Sequence, residues 1–142
     1  MRTMSATRPF ATALEMLRAA NLRPTRQRLA LARLLFDKGD RHVTAEQLHD
    51  EALAASIRVS LATVYNTLHQ FVTAELLHEV VVDPGRSYFD TNTADHHHFF
   101  FEDTGRLMDI PSDHVSVTNL PRPPHGAIKR VDVTIRVGKS GS

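Results

Sequence analysis

The sequence predicts an α+β fold in two parts. Three observations carry this. Apolar residues recur at helical spacing through most of the first 73 positions, a hairpin signal follows at Asp83-Pro84-Gly85-Arg86, and the remainder alternates as strands. The length of 142 residues suits one compact domain or two very small ones, and 42% hydrophobic with 23% charged residues is a globular composition.

The elements follow in order. Phe10, Ala13, Leu14 and Leu17 make the stripe of a first helix that Asn21 can end. Thr25 caps a second helix with Leu29, Ala32, Leu35 and Phe36 on its stripe and Gly39 as its stop. Thr44-x-x-Gln47 is a capping-box pattern that opens a third helix. Ser60 caps a fourth, "LATVYNTLHQFVT". Its Leu61, Val64, Leu68, Phe71 and Val72 form the core face. Ala62, Thr63, Asn66, His69 and Gln70 lie opposite, with Tyr65 at the margin.

That outer face lacks acidic residues and is small and polar near its start. It suits an ordinary amphipathic helix, and it equally suits one that enters a major groove. There Asn66 can pair with adenine, and Thr63 and Tyr65 can meet thymine methyls or phosphates. Pro then Gly at the centre of 83–86 favours a type II turn between two strands. Helices followed by a hairpin make a winged helix-turn-helix. Arg86 at the wing tip, with Arg23, Arg26 and Arg28, can reach phosphates.

Beyond 91–95, a polar hinge, "HHHFFF" reads as a strand, "EDTG" as its turn and "RLMDI" as the return strand. Four of the seven prolines lie in 111–126, which argues against a long helix there. "KRVDVTIRV" (129–137) alternates cleanly and reads as a strand. Some fifty residues with three strands bury little core alone, so a second copy of the chain is the expected partner.

Net charge is only +1, yet residues 1–70 carry ten Lys/Arg against six Asp/Glu, whereas the rest carry seven against ten. A basic front suits a polyanion, and an acidic, His-rich back suits cations. With no cysteine, disulfides, thiolate zinc sites and thiol catalysis are excluded. No run approaches a membrane span, and charges interrupt the N-terminal apolar residues, so no signal peptide is expected and the cytoplasm is the expected compartment. His-Glu-x-x-His, Gly-rich phosphate loops and Gly-x-Ser-x-Gly are all absent, so an enzyme is not expected.

On a strand, His96 and His98 share one face and His97 takes the other. This offers a two-imidazole chelate for Zn, Fe, Mn or Ni, with Asp83, Asp95, Glu102, Asp103 and Asp109 as carboxylate candidates. Phe99 and Phe101 share a face that serves either as dimer core or as an apolar wall for haem. A metal or haem store without a DNA role fits the same residues.

"LRPTRQRLALARLLF", "HVTAEQLHDEA", "SLATVYNTLHQF", "GRSYFD" and "HHHFFFEDTGRLMDI", in that order, resemble the ferric uptake regulator family over about residues 10–110. The resemblance implies a dimeric, metal-responsive transcription factor: a winged-helix DNA-binding domain (1–90), the hinge (91–95), and a small C-terminal α/β dimerisation and sensing domain (96–142). By family role Arg23 approaches the minor groove, Arg28 a phosphate and Tyr65 the bases of double-stranded DNA. Ser60, Ala62, Thr63 and Asn66 join them, and Asn66 stands where many members have arginine. His42, Asp83, His96, His98 and Asp109 match the regulatory metal ligands (Fe²⁺, Mn²⁺ or Zn²⁺). A second metal set would use Asp95 and His97, with Asp132 where a histidine is common. Phe101 and Thr104 replace the first cysteine pair of the family's structural zinc. The absence of cysteine, the histidine run and the Pro-rich tail resemble the iron response regulator branch. That branch implies control of iron homeostasis, DNA binding when iron is scarce, release by haem at His96, His97 and His98, and a haem-delivering protein as partner.

Overall fold

A computed structural model describes residues 13–138. Phe10 of the first helical stripe lies outside them. The chain divides into two compact units, one through Thr93 and one from Ala94.

The first unit contains α1 (Ala13–Ala19), α2 (Arg26–Phe36), β1 (His42–Val43), α3 (Ala45–Ala54), α4 (Leu61–Thr73), β2 (His78–Asp83) and β3 (Arg86–Asp90). The three side-chain caps are in place. Thr25 Oγ1 accepts from the Arg28 amide, Ser60 Oγ from that of Thr63, and Thr44 with Gln47 closes a reciprocal capping box. Each satisfies helix-start N–H groups that the helix itself leaves unpaired. Leu17, Leu31, Leu35, Phe36, Leu48, Val64, Leu68 and Phe71 make a closed core between the helices. Thr67 is buried with them, whereas Leu61 and Val72 are only partly covered.

The helix ends use a device without glycine. Asn21, Ser56 and Glu75 all adopt left-handed φ values of 60–64°. Behind them the amides of Leu22, Ile57 and Leu76 donate back to the carbonyls of Leu17, Ala52 and Phe71. This is the Schellman pattern, in which glycine is the least strained residue. Asn tolerates it, but Glu carries the left-handed penalty of roughly 1 kcal/mol. Glu75→Gly is therefore expected to raise unfolding stability by about 0.5–1 kcal/mol, read as a higher urea midpoint with an unchanged slope.

The sheet order of this unit is β1-β3-β2, all antiparallel. The β2–β3 turn is the expected hairpin, with Gly85 at φ 75°. The two-residue β1 is an addition to the sequence reading. It pairs His42 with Asp90 and Val43 with Phe89. Its end is pinned by Arg41, which grips Glu51 on α3, donates its amide to the hydroxyl of the fully buried Thr91 and accepts the Thr91 amide at its carbonyl.

The second unit is a sheet of order β5-β4-β6, from β4 (His96–Phe101), β5 (Arg106–Pro111) and β6 (Thr134–Val137). β4 is central, antiparallel to β5 and parallel to β6. The strand expected over 129–137 is shorter than its alternation suggests. The guanidinium of Arg130 turns onto Asp132, and the Val133 amide donates to the His97 ring, so the ladder starts only there. No helix among the described residues is long and apolar enough to cross a membrane.

Candidate metal centre and nucleic-acid face

In the second unit, period two along β4 puts His96, His98 and Phe100 on one sheet face, and the register sets His98 opposite Asp109 on β5. His96 and His98 are 6% and 2% exposed. Their rings lie 4.5 Å apart, and the Nε2 atoms stand 3.5 Å and 3.4 Å from one Asp109 oxygen. Two ligands of one metal at about 2.1 Å and a tetrahedral angle are roughly 3.4 Å apart. Both imidazole-to-carboxylate separations already have that spacing.

The tautomer agrees. His96 Nδ1 lies 2.6 Å from the Ala94 carbonyl, which only accepts, so Nδ1 carries a proton and in the neutral ring Nε2 presents a lone pair. This backbone anchor is the outer bond that orients metal-binding imidazoles. Two imidazoles and a carboxylate of borderline hardness fit Zn²⁺, Mn²⁺ or Fe²⁺.

His97 is used differently. It is buried on the other face, and its Nδ1 accepts the Val133 amide at 3.0 Å, so its Nε2 holds the proton when the ring is neutral. Asp95 and Asp132, the other members of the second metal set, meet the Arg130 guanidinium at 3.9 Å and 2.9 Å. Glu102 pairs with Arg136 at 2.8 Å, and Asp103 is exposed. Of the second unit's carboxylates that the sequence offered, Asp109 stands with the histidine pair.

In the first unit, Asp83 ends β2 and faces Arg86 at 4.0 Å across the hairpin. His42 sits on β1 with its ring edge-on to Tyr88. The carboxylate opposite His42 is Asp90, only 1% exposed, which accepts the Asn92 amide. The sequence reading passed over Asp90. Its signal was weak: one acid among several before the hinge. A carboxylate this buried carries a large desolvation cost unless charge or hydrogen bonds offset it.

The polar side of α4 borders a groove lined by Arg23, Thr25, Arg28, Thr63, Asn66 and Gln70. Arg28 is held ready there, with Nε donating to Gln70 Oε1 at 3.0 Å and a terminal nitrogen to the Arg23 carbonyl at 2.8 Å. Arg23, Ala62 and Asn66 are exposed, and Ser60 is spent partly on its cap. Tyr65 lies apart from the groove lining. Its hydroxyl donates to Glu46 on α3 at 3.0 Å, and its ring stacks on His69. The hydrogen bond to the Glu46 carboxylate, then burial, pushes the phenol pKa above its ordinary value.

The family model described as the ferric uptake regulator family matches residues 19–137. The peroxide-responsive repressor PerR of Staphylococcus aureus (strain Mu50) is 33% identical over 94 residues, covering 66% of this chain and 63% of that protein. Its Staphylococcus epidermidis counterpart is also 33% identical over 94 residues, with 62% of its length covered. The match thus spans somewhat under two thirds of these relatives. Among solved structures, the ferric uptake regulator from Pseudomonas aeruginosa with manganese is similar at TM-score 0.69 and 26% identity, over 90% of this chain and 98% of that one. The Vibrio cholerae ferric uptake regulator, at TM-score 0.68 and 23% identity over 88% and 98%, shares the fold.

Proposed function

The chain belongs to the ferric uptake regulator family, and from that premise we propose that it is a metal-responsive, homodimeric transcription regulator acting on promoter DNA in the cytoplasm. The single observation that carries this reading is the convergence of His96, His98 and Asp109 at metal-ligand spacing. The bound ion would supply a positive charge that draws the ring nitrogens of His96 and His98 and the Asp109 carboxylate together. Such a ligand shifts DNA affinity only as far as it favours the binding arrangement over the other. Arg23 and Arg28 then serve phosphates, and Thr63, Tyr65 and Asn66 the base edges.

A second reading keeps the iron response regulator branch: a regulator of iron homeostasis, binding DNA in iron-poor cells and released by haem from a delivering protein. What favours it is the run of three consecutive histidines on the central strand. It asks more of the fold, because all three residues are under 10% exposed and a porphyrin would have to displace the packing over the central strand to reach them.

One titration separates the two. Duplexes enriched from a randomised pool would be followed by fluorescence anisotropy at fixed salt, since salt alone changes such affinities by orders of magnitude. Mn²⁺ or Fe²⁺ is expected to tighten binding about tenfold or more, the usual size of allosteric coupling. Haemin releasing the DNA, with divalent ions inert, would replace the first reading by the second.

A further inference from the structure

We propose that Glu46 is a specificity-determining residue: it fixes the Tyr65 hydroxyl as a hydrogen-bond acceptor toward DNA, so that Tyr65 selects bases carrying an amino group. This rests on the DNA-binding reading above.

The Tyr65 ring is clamped at both ends. His69, one turn along α4, stacks on it with ring centroids 6.2 Å apart and planes 23° apart. His69 is itself set edge-on to Phe89 at 5.7 Å. At the other end the hydroxyl meets Glu46 Oε2 at 3.0 Å. Glu46 lies in the first turn of α3, where the helix dipole favours a carboxylate.

A phenol has one proton, and this one is committed to the carboxylate. The same neighbour makes the phenol harder still to deprotonate than an ordinary tyrosine. What remains for a ligand is the oxygen lone pairs. Phosphate oxygens, thymine O4 and guanine O6 and N7 are all acceptors and find no donor there. Adenine N6 and cytosine N4 are donors and do. A carboxylate so near a DNA-facing helix repels phosphates and lowers affinity for every sequence alike. Its compensation is discrimination.

The test is base preference among duplexes bound from a randomised pool by the full-length, Mn²⁺-loaded protein. Wild type is expected to favour adenine or cytosine about five- to tenfold at one position per half-site, the worth of one hydrogen bond. Glu46→Ala should flatten that position to under about twofold while binding all duplexes more tightly, through the lost repulsion. Glu46→Gln keeps an acceptor oxygen without the charge, so it should retain the preference and still gain general affinity. Tyr65→Phe should flatten the same position. If Glu46→Ala keeps the wild-type preference, or Tyr65→Phe does, the proposal is wrong although the protein still binds DNA. If wild type enriches no duplex at all, the DNA-binding reading fails and takes this one with it.

Discussion

His98→Ala is expected to weaken Mn²⁺ or Fe²⁺ binding by at least about 100-fold, since even the outer partners of metal ligands are worth 10–100-fold. His98 is the more deeply placed of the two imidazoles, at 2% exposure, and its Nε2 stands 3.4 Å from Asp109. Removing it leaves one imidazole and one carboxylate, a poor chelate for a borderline ion. DNA binding should become indifferent to metal as a result. Because His98 is buried, its loss also opens a cavity and costs stability. Asp109→Asn separates the two effects. Asp109 is 46% exposed and packs little, so this variant should melt like wild type yet bind the ion about 10–100-fold less tightly. Isothermal titration with Mn²⁺ reads both. If the two variants bind the ion as wild type does, the trio is not the sensor.

Which parts of this site could be read beforehand follows from how local each cause is. The caps at Thr25, Thr44 and Ser60 act over three residues, so the helix starts were visible and are as expected. The ends were less visible, because Ser56 and Glu75 take a left-handed turn where a sequence reader looks for glycine. The shared face of His96 and His98 is a consequence of strand pleat alone. Choosing Asp109 from five nearby acids needed the β4–β5 register, which sets it opposite His98. In the first unit, the pairing of Asp90 with His42 needed more, because His42 lies 48 positions earlier, on a two-residue strand too short to leave any alternation in the sequence. The parallel pairing of β4 with β6 spans a Pro-rich stretch and was equally invisible. Tyr65 was legible as a candidate DNA contact. That its hydroxyl would be held by Glu46 was not, since the two lie on different helices.

The second largest effect is expected on the opposite face of the second unit's sheet. Phe99 lies at its centre, with Met108 beside it on β5 and Ile135 on β6. Phe101 and Val137 continue the patch along the strands. Met108 and Ile135, on the two outer strands, are 41% and 39% exposed and flank Phe99 to form one apolar patch. The unit's own buried apolar side chains are few: Phe100, Leu107 and Ile110. So small a core gains little from its own burial and most from covering this patch with a second copy. A two-fold interface repeats each contact, so Met108→Asp with Ile135→Asp removes four apolar side chains and adds four facing charges. At roughly 0.6–1.2 kcal/mol for the exposed two fifths of each lost side chain, with the repulsion of the facing charges added, the dimer weakens by about 4 kcal/mol or more, some three orders of magnitude in Kd. Analytical ultracentrifugation should then show a monomer at micromolar concentration. The monomer should retain Mn²⁺ binding, because His96, His98 and Asp109 project from the other face. It should bind a single half-site only weakly, because two winged helices joined in one particle reach the second half-site at high effective concentration and separate ones do not. A double variant that stays dimeric would move the interface elsewhere and leave the exposure of Met108 and Ile135 without a purpose.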